Sequence, residues 1–443
     1  MRIRLFIIVA ALLMGLTAPA MAQLTAPTTH IEVAQLPPAG VANFDPVKAT
    51  NAYLAQIPAQ KRARTDAYFE GGYVLQLVDL VYGLAIAALL LWGGLSRRMS
   101  AYAGAVSGRR FWQAPIYVAL YTVLTTVLAL PLIIYEGFFR EHQYGLSNQN
   151  FGQWAGEFAI NFGVQLIASV VLLTVLYAAA RAAKRSWWLW GAGITVVFMT
   201  IFIMIAPVYI LPLTNHYTKL PDSGMRNAIL SLARANAIPA QHVYVFDASK
   251  QSNRVSANVA GLFGTTRIAL NDNLLNRCTP TEVLAVLGHE MGHYVMNHVT
   301  NFVIWLGLLI LAGFWFVDKT YYGITKVFGG KWTVGGIDDP AGLPLVMALI
   351  SVFFFFATPL TNTMTRSQEI EADIFGLNAV RQPDAAAKVD LMLGDYRKLD
   401  PSRLEEIIFF DHPSGRNRIL TAMRWKAEHL NDPDIMAGPI SPQ

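Results

Sequence analysis

Residues His289, Glu290, Met291, Gly292 and His293 form an H-E-x-x-H pentapeptide. Two histidines four apart on a helix sit about 40° apart around its axis, so both imidazoles can hold one zinc ion. Glu290 falls on nearly the same face, placed to take a proton from a water that such a metal polarises. The flanking residues supply the helix. Thr279 fits an N-cap, Pro280 the first helical position and Glu282 the capping-box partner. The run Val283–Leu287 then gives the helix an apolar body. One buried and one surface histidine would explain a bare pentapeptide, but not one set inside a well-started helix.

A zinc hydrolase needs a third protein ligand. His298 lies five residues beyond His293, about 140° around a continuous helix, and so faces away. The metzincin pattern asks for a histidine six residues on, where this chain has Val299. A carboxylate from a second helix remains. The segment Arg366–Asp373 offers Glu369 and Asp373, four apart on one face, with Glu371 roughly opposite. Glu369 as ligand, with Asp373 behind it orienting a ligand histidine, would complete a site for one zinc per chain. On residue types alone the segment also fits the acidic, solvated start of a helix.

The elements that must carry these residues are set by composition. Apolar residues make up 54% of the 443 and charged ones 14%, where a soluble globule carries about a quarter. The class is therefore membrane protein. Apolar stretches at Tyr73–Leu95, Trp112–Tyr135, Phe158–Ala180, Trp187–Leu213, Asn301–Val317 and Ala341–Leu360 approach or exceed a bilayer's thickness. The net charge of +5 (34 basic minus 29 acidic) is small and scattered, which argues against nucleic acid as a partner. Cys278 is the only cysteine, so neither an intrachain disulfide nor a cysteine-based zinc site is available.

Residues 1–22 read as a signal peptide: Arg2 and Arg4, an apolar run Leu5–Leu16, then Ala20-Met21-Ala22. Residues 23–72 read as an extension or linker, and 73–213 as a four-span membrane region. Region 214–300 carries the zinc helix, preceded by a helix over Gly224–Ala237 and strand-like runs His242–Phe246, Arg254–Phe263 and Thr266–Asn271. Two spans occupy 301–360, and 361–443 supplies the third ligand and C-terminal helices. The expected fold is mainly α, a polytopic helical membrane bundle with a small α+β gluzincin-type zinc metallopeptidase domain.

The H-E-x-G-H of His289–His293, followed by E-x-x-A-D at Glu369–Asp373, resembles the type I CAAX prenyl endopeptidases and their bacterial relatives. Ser256–Gly261, Arg267–Leu270, and His412-Pro413-Ser414 with Arg418 resemble further stretches of that family, as does Ala206-Pro207 with Pro212–Asn215. The similarity covers roughly residues 65–430. It implies that Asn258 lies on a strand pairing with an extended peptide substrate. It also implies that His412 and Arg418 stabilise the oxyanion or lock the groups behind the metal. By itself, a His-Pro pair opening a helix reads as a structural cap. Thr365 departs from the family's serine, and the leader departs from the full membrane span that opens the eukaryotic members.

The expected activity is that of an integral-membrane zinc metalloendopeptidase acting on peptides or misfolded membrane proteins. A CAAX-type enzyme processing one hydrophobic or lipidated peptide is the nearest alternative. A transporter or scaffold with a structural zinc would need four ligands, and only three are well placed. The leader suggests a bacterial inner membrane, where prenylated substrates are not expected. Arg97, Arg98, Arg109 and Arg110, then Arg181, Lys184 and Arg185, then Lys319, Lys326 and Lys331 cluster in alternate loops, which puts the catalytic side outside the cytoplasm. Lys61, Arg62 and Arg64 run against that assignment.

Overall fold

The computed structural model describes residues 44–260 and 266–436. The signal-peptide segment, Gly261 and the tail beyond Met436 lie outside the described residues.

The chain opens with α1 (Pro46–Leu54), capped by Asp45, whose carboxylate accepts from the Val47 and Lys48 amides. It continues into the long α2 (Ala59–Trp92). This corrects the expectation of a linker up to residue 72. The polar composition before the first span belongs to helices whose apolar sides are covered by distant parts of the chain. Leu54, with Phe44, Tyr53 and Ile57, packs against Leu377, Leu399, Ile419, Met423 and Trp425 from the C-terminal region.

The amphipathic α3 (Leu95–Val106) leads to α4 (Arg110–Ile134), which runs through a π-helical turn to Gln143. Helices α5 (Phe151–Ala182) and α6 (Trp187–Ile205, prolonged by short turns to Leu213) follow. Asn150 starts α5 through a capping box with Gln153.

Beyond the fourth span come β1 (Tyr217–Lys219), α7 (Gly224–Ala235), β2 (Val243–Phe246), β3 (Ala257–Ala260), β4 (Arg267–Asn271) and α8 (Asp272–Arg277). The sheet order is β1-β2-β4-β3, with β2 and β4 parallel and both outer pairs antiparallel. One face packs with α7 and α9 (Pro280–Val295) around Ile229, Ile238, Val243, Ile268, Leu270, Leu274, Leu287 and Met291, all buried.

Helices α10 (His298–Trp332) and α11 (Leu343–Val380) hold the last two spans. Among the described residues, six helices are long and apolar enough to cross a membrane. The sixth does not stop at residue 360 but continues as one rod to Val380, where Arg381 turns left-handed (φ 57°) and Pro383 follows. The sixth span and the carboxylates Glu369 and Asp373 therefore share a single helix. The chain then forms α12 (Pro383–Leu393), α13 (Arg403–Phe409) and α14 (Gly415–Glu428).

Candidate metal centre

The local sequence builds α9 as expected. Thr279 accepts from the Glu282 amide, Glu282 accepts from the Thr279 amide at 2.8 Å, and Pro280 occupies the first turn. Two turns further on, the Nε2 atoms of His289 and His293 face each other at 3.1 Å. Helix α11 reaches this face because small residues line the contact. A Cβ on Gly376 would stand 2.9 Å from the His289 backbone nitrogen, and one on Gly292 3.1 Å from the Ala372 Cα. A Cβ on Gly288 would overlap Val380. The glycine of H-E-x-G-H is thus a contact surface for the helix that brings the carboxylate.

That close approach sets Glu369 Oε2 3.2 Å from His289 Nε2 and Oε1 3.4 Å from His293 Nε2. Tetrahedral ligands about 2.0–2.1 Å from zinc stand about 3.3 Å from one another. Glu369 is 6% exposed, and its Oε2 is buried without a hydrogen-bond partner. Uncompensated burial of a carboxylate oxygen is costly. Three converging donor atoms and that orphan oxygen fit a divalent cation.

Behind His289, Asp373 Oδ1 lies 2.8 Å from Nδ1, and Arg418 donates through Nε to Asp373 Oδ2 at 2.9 Å. Arg418 also pairs with the buried Asp390 at 3.2 Å. Burial alone would raise the Asp373 carboxyl, but Arg418 and His289 hold it well below the usual range. Burial pushes Asp390 up to about 7 against the pull of Arg418. Burial likewise opposes ionisation of Glu369, yet the neighbouring His289 brings it to about 2. Burial would lower His289, but Asp373 and Glu369 raise it to about 10, while burial and the His289 cation lower His293 to about 4.

Glu290 faces a cavity of about 220 Å³ together with His289, Glu369 and His412, and burial pushes its carboxyl up to about 7. His412 points Nε2 at Glu369 Oε1, 3.3 Å away, while Nδ1 is held by Asp411 at 2.7 Å. Arg418 stands behind the site, paired with Asp373. Asn258 sits on β3 opposite Ala269, with a buried, unpartnered Oδ1. Its neighbours Ser256 and Ala257, rather than Asn258 itself, line the cavity. The outer edge of β3 pairs with no other strand among the described residues.

Three residues went unforeseen or were misjudged. Asp390 could have been noticed as the one carboxylate among Ala385, Ala387 and Val389 on the buried side of α12. His298 and Glu371, expected to face away, meet each other next to His293. The premise of one continuous helix fails, because α9 ends at Val295 and Asn297 turns left-handed before α10.

The description "Peptidase family M48" matches residues 219–426, and "CAAX prenyl protease N-terminal, five membrane helices" matches residues 48–216. The uncharacterized metalloprotease YhfN of Bacillus subtilis is 34% identical over 333 residues, covering 75% of this chain and 78% of that protein. The chain belongs to peptidase family M48. CAAX prenyl protease 1 of Saccharomyces cerevisiae is 28% identical over 336 residues, covering 71% of this chain and 73% of that protein. The crystal structure of S. mikatae Ste24p shares the fold of this M48 chain, with a TM-score of 0.69 at 21% identity over 85% of this chain and 95% of that one. Residues 48–216 hold four long apolar helices among those described. With six such helices, the M48 chain is a multi-pass integral-membrane metalloprotease. Peptidases of this family are in general zinc-dependent, and membership does not favour a transporter or scaffold.

Proposed function

We propose that this M48 peptidase is a zinc endopeptidase whose metal is held by His289, His293 and Glu369. The observation that carries the reading is the convergence of those three donors around the unpartnered Glu369 Oε2. Zinc bound there supplies a Lewis acid for the scissile carbonyl and acidifies water. Glu290 is the general base, taking the proton of the water that attacks the carbonyl carbon. His412, with Nε2 turned into the site, donates to the oxygen on which negative charge develops. Asp373 holds the His289 ring, and Arg418 holds Asp373, so both act through other residues. The free edge of β3, with Asn258, takes the substrate as an added extended strand.

The substrates are peptides or misfolded membrane proteins. Relatives named CAAX prenyl protease 1 keep a second reading in view, the trimming of one hydrophobic or lipidated peptide. The proposed division has two polar regions, 214–300 and 361–443, forming one catalytic unit around the spans of 301–360. We place it in a bacterial inner membrane with that unit outside the cytoplasm.

Metal analysis of the purified full-length chain tests the ligand set. Glu369→Ala should fall far below the one zinc per chain expected of the parent protein, and peptide hydrolysis should vanish with it. Full occupancy in that variant would overturn the assignment.

A further inference from the structure

On the side of His293 away from Glu369 lie two polar residues that the proposed chemistry does not use. His298 is 2% exposed, which is unusual for an imidazole unless its nitrogens are engaged. Both are. Its Nδ1 lies 2.9 Å from His293 Nδ1, and its Nε2 lies 3.0 Å from Glu371 Oε2. The contact exists because of the break between α9 and α10. Asn297 takes φ 56°, a left-handed conformation that asparagine tolerates better than most residues, and this folds His298 back toward His293. Five residues along an uninterrupted helix would have carried it about 140° away.

When His293 presents Nε2 to a metal, the proton must sit on Nδ1. The distances then allow one consistent arrangement. His293 Nδ1–H donates to His298 Nδ1, and His298 Nε2–H donates to the Glu371 carboxylate. Every donor meets an acceptor. His298 itself lies against the His293 nitrogen remote from the cluster, so it does not join the ligand set.

We propose that His298 and Glu371 form a hydrogen-bonded chain that holds His293 in its ligating tautomer and orientation, as positioning residues of the metal centre. The proposal rests on the reading of His289, His293 and Glu369 as ligands. It gives His293 the counterpart of what Asp373 does for His289. One stretch of α11 would then serve the whole centre, with Glu369 as ligand and Glu371 and Asp373 each orienting one histidine.

The test is the zinc dissociation constant of the full-length chain in detergent, measured by competition with a chromophoric chelator. His298→Ala should bind zinc about 10–100-fold more weakly, and Glu371→Gln should weaken it toward the lower end of that range. His298→Asn, whose amide oxygen can stand near the lost Nδ1 acceptor, should recover most of the affinity. Glu369→Ala, as the ligand control, should lose more than any of these. If His298→Ala and Glu371→Gln bind as tightly as the parent while Glu369→Ala does not, the chain of hydrogen bonds is overturned and the ligand set stands. Unchanged affinity in Glu369→Ala would instead overturn the ligand set. Should His298→Ala melt early and fail to fold, Glu371→Gln and His298→Asn decide, because Glu371 is 54% exposed and its replacement disturbs no core.

Discussion

Glu290 and His412 reach the same cavity from different parts of the chain, and neither belongs to the proposed ligand set. Replacing them should therefore separate chemistry from metal binding. Glu290→Gln keeps the side chain's shape but cannot take a proton, so hydrolysis should fall by at least about 10²–10⁴-fold with zinc content unchanged. The base acts only when ionised. Burial holds its carboxyl at about 7, and a neighbouring dication would lower it, so kcat/KM of the parent enzyme should decline as pH falls below neutrality. That acid limb should be missing from any residual activity of Glu290→Gln. His412→Ala should also keep its zinc while losing about 10²–10³ in kcat, the loss expected for one oxyanion donor. Loss of zinc in His412→Ala would make it part of the metal shell, only 3.3 Å from Glu369 as it is.

At the scale of elements, the site is the crossing of α9 and α11. Four small residues, Gly288, Gly292, Ala372 and Gly376, let the two backbones approach closely enough for one helix to present imidazoles and the other a carboxylate. Gly376→Ala puts a Cβ 2.9 Å from the His289 backbone nitrogen, and backbone cannot swing aside as a flexible side chain would. The helices should separate by a few tenths of an ångström, with a loss of about 1–3 kcal/mol in stability and weaker zinc binding. Gly323→Ala in α10, where nothing lies within 4 Å of the added carbon, should cost nothing. Thermal melting and zinc titration of the two variants check the contrast; equal behaviour would mean that close packing does not set the site's geometry.

For the whole molecule, the packing of α1 on α12 and α14 puts residue 44 and the C-terminal catalytic helices on one side of the six spans. Lys61, Arg62 and Arg64 oppose an extracytoplasmic assignment. They are engaged locally: Lys61 pairs with Asp395, Arg62 donates to the Leu54 carbonyl and Arg64 to the Gln143 carbonyl. Under the proposed orientation the basic loops of the opposite side, including Arg97, Arg98, Arg109 and Arg110, face the cytoplasm. Alkaline phosphatase fused after Gln443 should be active in a bacterial host. An inactive phosphatase, together with a fluorescent cytoplasmic reporter at the same point, would reverse the orientation.

Much of this was legible along the chain because it depends on local spacing. The capping box at Thr279 and Glu282, the shared face of His289 and His293, and the six apolar stretches follow from helical geometry and composition alone. So does the choice of Glu369 and Asp373 over Glu371 as the carboxylates nearest the histidines, since residues four apart share a face. What depended on three dimensions was different in kind. One left-handed residue, Asn297, reversed the direction of His298. The burial of Asp390 and its pairing with Arg418 came from helices folding together across the chain. Residues 46–54 and 59–72 proved helical, and the apolar side of the first of these helices meets Leu377, Ile419 and Trp425, more than 300 residues away. A sequence records which side chains share a helix face. Which faces meet, and which polar group each then covers, is decided only when packing brings those faces together.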